Sequence, residues 1–244
     1  MASKKSDMEH IPTSPFLKKL DNYWYHYKWH TIIGVILLVT VLICTLQMCQ
    51  KPSYDTEIIY AGPHSITKVQ QGDIKTSLSA FMKDRDGNGE VSLNLIPYWV
   101  DGDMMTDDKY DESDRGFMQQ SSMQNKQNFH DEISAGDVVI YLVSHELFLE
   151  MMERGCLSSL TELVPFLSED VLAKDKDGNA TACGVTLASL PAGSLAGLSQ
   201  LPADTVLCMQ DLRFLNQLFN KNQSEAQHAY CKEMMTALLT FTLP

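Results

Sequence analysis

Residues 137–155 read DVVIYLVSHELFLEMMERG, and that stretch decides the fold class. Asp137–Leu142 (DVVIYL) is the most hydrophobic short run outside the long apolar segment near the N-terminus, and its β-branched residues predict a buried strand. His145–Gly155 (HELFLEMMERG) then changes to helical spacing and stops at glycine, the residue that most easily ends a helix. A strand passing directly into a helix is the unit of an α/β domain. Working toward the N-terminus, the acidic, Gln- and Met-rich residues 101–128 start as a loop and become a helix that ends at Gly136. Before them Val91, Leu93, Leu95 and Tyr98 alternate as in a strand, and Ile74, Leu78, Phe81 and Met82 mark a helix over 70–82. Glu57–Gly62 (EIIYAG) is a further strand, stopped by Gly62-Pro63. Strand and helix alternate three times, which predicts a layered α/β domain with parallel pairing in its first half. Toward the C-terminus, Thr181–Leu187 and Thr205–Met209 read as strands. Ala188–Leu201 reads as a loop, and Ser224–Phe241 as a helix with Ala226, Tyr230, Met234, Ala237, Leu238 and Phe241 on one face. The expectation is one α/β domain with a mainly parallel sheet.

Ahead of that domain, Thr31–Met48 (TIIGVILLVTVLICTLQM) runs eighteen residues without a charge. As a helix it would cross about 27 Å of hydrocarbon, enough to span a bilayer. Tyr23, Trp24, Tyr25, Tyr27 and Trp29 precede it, rings that favour the headgroup region. Lys19 and Lys28 lie on that side, while only Lys51 and Lys68 follow closely on the other, so the positive-inside bias places the N-terminus in the cytoplasm. A cleaved signal peptide would have a shorter leading region and an A-x-A site after the run. The expected organisation is a basic, aromatic tail (1–30), a transmembrane helix (31–49), a linker (50–55) and an exported domain (56–244).

Charge narrows the partners. The chain carries a net −12; five lysines against three acids make residues 1–30 +2 and leave −14 for the rest. A domain so acidic is repelled by phosphate backbones, which argues against nucleic acid and favours cations or basic partners. Of six cysteines, Cys156, Cys183, Cys208 and Cys231 lie outside the apolar segment, none in a CxxC pair. Buried thiols and two disulfides both remain compatible with that spacing.

Asp84-Arg85-Asp86-Gly87-Asn88-Gly89-Glu90-Val91 matches the first eight positions of an EF-hand-like calcium loop. In that reading Asp84, Asp86 and Asn88 give side-chain oxygens, Glu90 its backbone carbonyl, Gly89 the sharp turn, and Val91 packs inward. The twelfth position, where a bidentate acid completes such loops, is Leu95. The same residues also make an ordinary solvated turn. Asp175-Lys176-Asp177-Gly178-Asn179 lacks the sixth-position glycine and reads as a hairpin turn. The chain shows no HExxH, GxSxG, GxxxxGK[ST] or GxGxxG pattern.

Several stretches resemble a known group: YHYKWHTI (25–32), IYAGP (59–63), DRDGNGEV (84–91), DVVIYLVSHELFLEMMERGCLSSLTEL (137–163), CGVTL (183–187) and TVLCMQDL (205–212). Together they are similar to short single-pass membrane-anchored proteins of Gram-positive anaerobes whose exported part resembles one lobe of an extracellular, type 2 periplasmic-like, solute-binding protein. About 35 residues follow Met209, too few for the second lobe that usually comes after the crossover strand, so the resemblance implies a single lobe.

Open α/β sheets place ligands at the carboxyl ends of their strands. By that rule the candidate ligand residues are Gly62, Pro63 and His64 after the first strand, Asp101 after the second, and Ser144 and His145 after the third. Asp84, Asp86, Asn88 and Glu90 are the candidate calcium ligands. The expected function is a membrane-tethered, non-enzymatic binding or interaction domain for a small solute or a membrane or extracellular protein. A structural subunit of a membrane complex and an extracytoplasmic hydrolase are the alternatives.

Overall fold

The computed structural model describes residues 15–49, 54–100, 112–212 and 221–242. The chain divides into two compact units, Met1–Pro52 and Ser53–Pro244, each described by itself.

In the first unit, helix α1 runs over Pro15–Cys49. Its segment Tyr23–Leu46 is long and apolar enough to cross a membrane. The hydroxyls of Thr31, Thr40 and Thr45 each donate to the carbonyl four residues back, at 2.8–3.0 Å. Three polar side chains inside the apolar run are thereby satisfied by their own helix, as a hydrocarbon surrounding requires.

The second unit contains β1 (Thr56–Gly62), α2 (Lys68–Ser79), β2 (Leu93–Trp99), α3 (Glu112–Ala135), β3 (Ile140–Val143), α4 (His145–Glu153), β4 (Leu172–Lys174), β5 (Ala180–Thr186), β6 (Val206–Met209) and α5 (Lys221–Leu239). The six strands form one sheet in the order β2-β1-β3-β6-β5-β4. β1 pairs in parallel with β2 and with β3, as alternation of strand and helix predicts. The pairings β3·β6, β6·β5 and β5·β4 are antiparallel. The sheet is therefore mixed. For β4 and β5 the physical reason is connection length: the five residues between them make a hairpin, whereas parallel neighbours need a helical crossover.

Both faces of the central strands are buried, which is why β1 and β3 read as continuous apolar runs instead of alternating ones. Ile58 and Tyr60 pack on one face with Ile74 and Leu78 of α2 and with Cys231, Met234, Met235 and Leu238 of α5. Ile59 and Ala61 pack on the other with Phe129 and Ile133 of α3 and with Leu147, Phe148 and Met151 of α4. At the edge, exposed Pro97 interrupts the outer hydrogen-bonding row of β2, a position where proline costs little and blocks unwanted strand pairing.

Helix starts follow local chemistry. Thr67 and Gln70 close a capping box on α2, the Gln70 N–H donating to Thr67 Oγ1 at 3.3 Å and the Thr67 N–H to Gln70 Oε1 at 2.9 Å. Ser144 caps α4, and just beyond that helix Gly155 takes φ +60°, as its place at the end of the run predicts.

Two expectations are corrected, and one open question is answered. α5 buries the stripe His228, Cys231, Met234, Met235, Leu238 and Leu239, while Ala226 is exposed and Tyr230 and Ala237 are half-buried, so the inward face is rotated from the one the sequence suggests. Residues 188–201 are not a plain loop: 3-10 turns at Leu187–Ser189, Pro191–Ser194 and Leu198–Gln200 bury Leu187, Leu190, Ala192 and Leu198 in the core. Gly197 permits this, because a Cβ there would lie 2.3 Å from the backbone of Asp73 in α2. Cys156, Cys183, Cys208 and Cys231, left open above, are thiols.

Two outcomes follow from this packing. Gly197→Ala should lower stability by about 2 kcal/mol, read as a drop of several degrees in the thermal midpoint, because backbone cannot give way to a methyl group. Burial pushes the Cys231 thiol up to about 11 from 9.0, and Tyr60 up to about 12 from 10.0. The folded state favours the protonated forms, so their stabilisation is complete below pH 9 and is lost as pH rises from 9 to 12. Chemical denaturation across that range should show the decline, and Cys231→Ser should flatten its lower part.

Candidate functional site

The crossover β1–α2–β2 covers the sheet face bearing Ile58 and Tyr60, and β2–α3–β3 covers the face bearing Ile59 and Ala61. β1 therefore lies where successive connections leave on opposite sides, the switch point at which open α/β sheets bind ligands beyond the strands' carboxyl ends. The candidates from β1 and β3 meet there. Ser144 N–H donates to the Ala61 carbonyl at 2.9 Å, holding the start of α4 against the end of β1. Val100 N–H donates to Gly62 O at 2.9 Å, and the Trp99 indole N–H donates to Pro63 O at 2.8 Å. Asn125 of α3 in turn donates to the Trp99 carbonyl at 2.9 Å. Gly62, Pro63 and Ser144 are thus held rigidly together, with His64 exposed beside them. His145 has a different engagement: its Nε2 lies 2.8 Å from the Lys174 carbonyl of β4, and its ring packs near Phe148. Asp101 lies outside the described residues.

One group at this edge escaped the sequence reading. Tyr60, 1% exposed, has a hydroxyl with no hydrogen-bond partner among the described residues. Burial raises its pKa to about 12, the approach of the His64 backbone N–H acts the other way, and the charge of Asp204 adds to the rise. The His64 approach falls short of a hydrogen bond. Within EIIYAG the tyrosine looks like one more core residue; only its position two residues below Gly62 distinguishes it.

The acidic loop lies at the other end of β1. Asp84 accepts from Gly87 N–H and Gly89 N–H at 2.7 Å each, and the Gly89 contact is the main cause holding its carboxyl below the usual carboxylate range. Gly89 sits at φ +89°, a backbone conformation glycine adopts without strain. Asp86 accepts from Asn88 N–H at 3.0 Å, and Asn88 Oδ1 from Glu90 N–H at 2.7 Å. The missing acid comes from upstream. Asp55, read above as the end of the linker, is 1% exposed and brings a carboxylate oxygen within 4.8 Å of those of Asp84 and Asp86. These three can hold a metal ion. Leu95 packs in the core, so the twelfth loop position plays no part. Asn88 and Glu90 are exposed, with Asn88 bonded to Asp86 and the Glu90 N–H to Asn88, neighbours within the loop. Val91, expected to pack inward, is 38% exposed, because the strand begins only at Leu93.

Three carboxylates this close repel one another unless donors or a cation intervene. Here Asp55 Oδ1 accepts from Arg85 N–H at 2.8 Å and Asp86 N–H at 3.3 Å, and Oδ2 from Ser92 N–H at 2.7 Å. Asp55 is therefore both a potential ligand and the clamp that shapes the loop. The second turn, around Asp175, is the β4–β5 hairpin turn expected, with Asp177 and Asn179 N–H donating to Asp175 Oδ1 at 2.9 and 2.8 Å.

No protein-family model, curated protein or solved structure matches the chain.

Asp55→Ala leaves these backbone N–H groups without their acceptor and should cost about 3 kcal/mol even in EDTA. Urea unfolding measures it; an unchanged midpoint would show that the clamp contributes nothing.

Proposed function

We propose that this chain is a non-catalytic, membrane-tethered binding domain on the outer face of the cell, comparable to one lobe of a solute-binding protein. α1 is the tether, with the N-terminus in the cytoplasm and the bilayer as its surroundings. The observation that carries the reading is the arrangement at the carboxyl ends of β1 and β3. The crossovers leave on opposite faces, and Gly62 and Ser144 are pinned by backbone hydrogen bonds and Pro63 by the Trp99 indole, beside exposed His64. Preorganised polar groups on rigid strands suit ligand binding because little ordering entropy is lost when the ligand arrives.

The acidic loop in this reading takes calcium. Hard carboxylate oxygens suit that ion, and Asp55 supplies the acid that Leu95 does not. Its role is structural: it neutralises the repulsion among Asp55, Asp84 and Asp86 and fixes the turn between α2 and β2.

Thermal unfolding of the whole chain in detergent micelles, in EDTA, in calcium, and with sugars, peptides and amino acids, tests both parts. A ligand at a hundred times its Kd adds about 2.7 kcal/mol, or roughly 5–10 °C for a domain of this size. Calcium should raise the midpoint in the native chain and not in Asp84→Asn. One solute class should raise it further and lose its effect in His64→Ala. If no solute moves the midpoint, solute binding is wrong, and cross-linking in the intact membrane should identify a protein partner.

A further inference from the structure

Between the chain just past α2 and the side of α5, the packing leaves a cleft of about 120 Å³. Phe81 and Met82 form one wall, and Tyr230, Met234 and Ala237 of α5 form the other. Both walls are held in place. Phe241 meets the Phe81 ring edge-on with centroids 5.2 Å apart, and the Tyr230 hydroxyl donates to the Lys83 carbonyl at 2.6 Å. With that hydroxyl satisfied, aromatic rings, two thioethers and a methyl group face the space. Native packing leaves few openings larger than a water molecule, and an apolar one of this size suits a small apolar group.

Charge stands at the mouth. Lys83 and Glu233 also line the cleft and pair with each other at 2.9 Å. A shallower groove continues from them past Lys232, Thr236 and Thr240. The two threonine hydroxyls there are engaged, each donating to the carbonyl four residues back at 2.8 Å. Lys232 forms no ion pair among the described residues. Since Lys83 already answers Glu233, the groove keeps one uncompensated positive charge. In a chain of net charge −12 such a spot is the exception, and it draws a small anion.

We propose that this cleft binds a small monocarboxylate whose apolar body is no larger than about a benzene ring. The body fills the space between Phe81 and Met82 on one side and Tyr230 and Met234 on the other. The carboxylate remains in the groove, where Lys232 pairs with it. Apolar walls around a few placed charges are the usual make-up of a small-molecule site. This site is separate from the edge at the carboxyl ends of β1 and β3: His64 lies before α2 and Phe81 after it, so the whole helix stands between them in the chain. It therefore stands or falls independently of the solute binding proposed above.

The test uses the whole chain in detergent micelles, isotope-labelled at its methionine methyl groups, and follows the Met82 and Met234 signals by NMR. Met82→Leu and Met234→Leu identify the two signals. Benzoate and isovalerate are the probes, each compared with the corresponding alcohol and amine. At least one carboxylate should move both signals saturably, with its alcohol and amine at least about threefold weaker, the scale of one exposed charge pair. Lys232→Gln should weaken the carboxylate by a similar factor and leave the alcohol unchanged. Ala237→Leu fills the cleft and should abolish the shifts without lowering the thermal midpoint, and His64→Ala should change nothing. If Ala237→Leu does lower the midpoint, Lys232→Gln decides. The proposal is overturned if neither carboxylate moves the two signals, if the alcohol binds as well as the carboxylate, or if Lys232→Gln binds it unchanged. A drift that never saturates, and is equal in Ala237→Leu, means partition into the micelle and overturns it as well.

Discussion

β1 must be hydrogen-bonded on both sides and buried on both faces at once, and the rest of the domain follows from meeting that requirement. Parallel neighbours β2 and β3 satisfy its backbone, and each needs a crossover helix. Because Ile58 and Tyr60 point one way and Ile59 and Ala61 the other, the two crossovers have to cover different faces. A sheet wound in that manner brings the carboxyl ends of β1 and β3 together between the two crossovers. The candidate site is thus a by-product of solving a burial problem.

The antiparallel half completes the enclosure with few residues. β6 joins β3, and a short hairpin supplies β5 and β4, so no further crossover helix is needed. Where this half meets the first, Gln210 is the polar joint. Its side chain accepts from the Tyr141 hydroxyl at 2.7 Å and donates to the Ile133 carbonyl at 2.8 Å. Its own carbonyl lies 3.2 Å from His228 Nε2 in α5. One buried amide therefore ties α3, β3 and α5 at the amino end of β3, where the apolar core alone would not specify their register. Asp55 does the comparable task at the amino end of β1.

How much of the candidate site was legible depended on how local its chemistry is. Gly62-Pro63 and Ser144-His145 announce strand ends, and their meeting follows from parallel pairing. The Asp84–Glu90 loop is legible because its hydrogen bonds span two to five residues. Asp55 was not, since nothing in its own neighbourhood marks an acid whose partners lie some thirty residues ahead. Tyr60 and His145 misled in opposite directions. The tyrosine looks like core yet brings a polar group to the edge, and the histidine looks available yet is bound to the β4 backbone.

By itself the sequence determined the apolar N-terminal helix, the alternation of strand and helix through Gly155, the helix caps and the turns. All of these rest on interactions between residues close in the chain, where hydrophobic period, capping and turn chemistry act. Tertiary structure alone decided the antiparallel direction of β4, β5 and β6 and the rotation of α5 onto its Cys231–Met234–Met235 stripe. It also turned residues 188–201 from an apparent loop into core. Those outcomes hinge on which surfaces remained to be buried once β1 had found its neighbours, and no local pattern of residues records that.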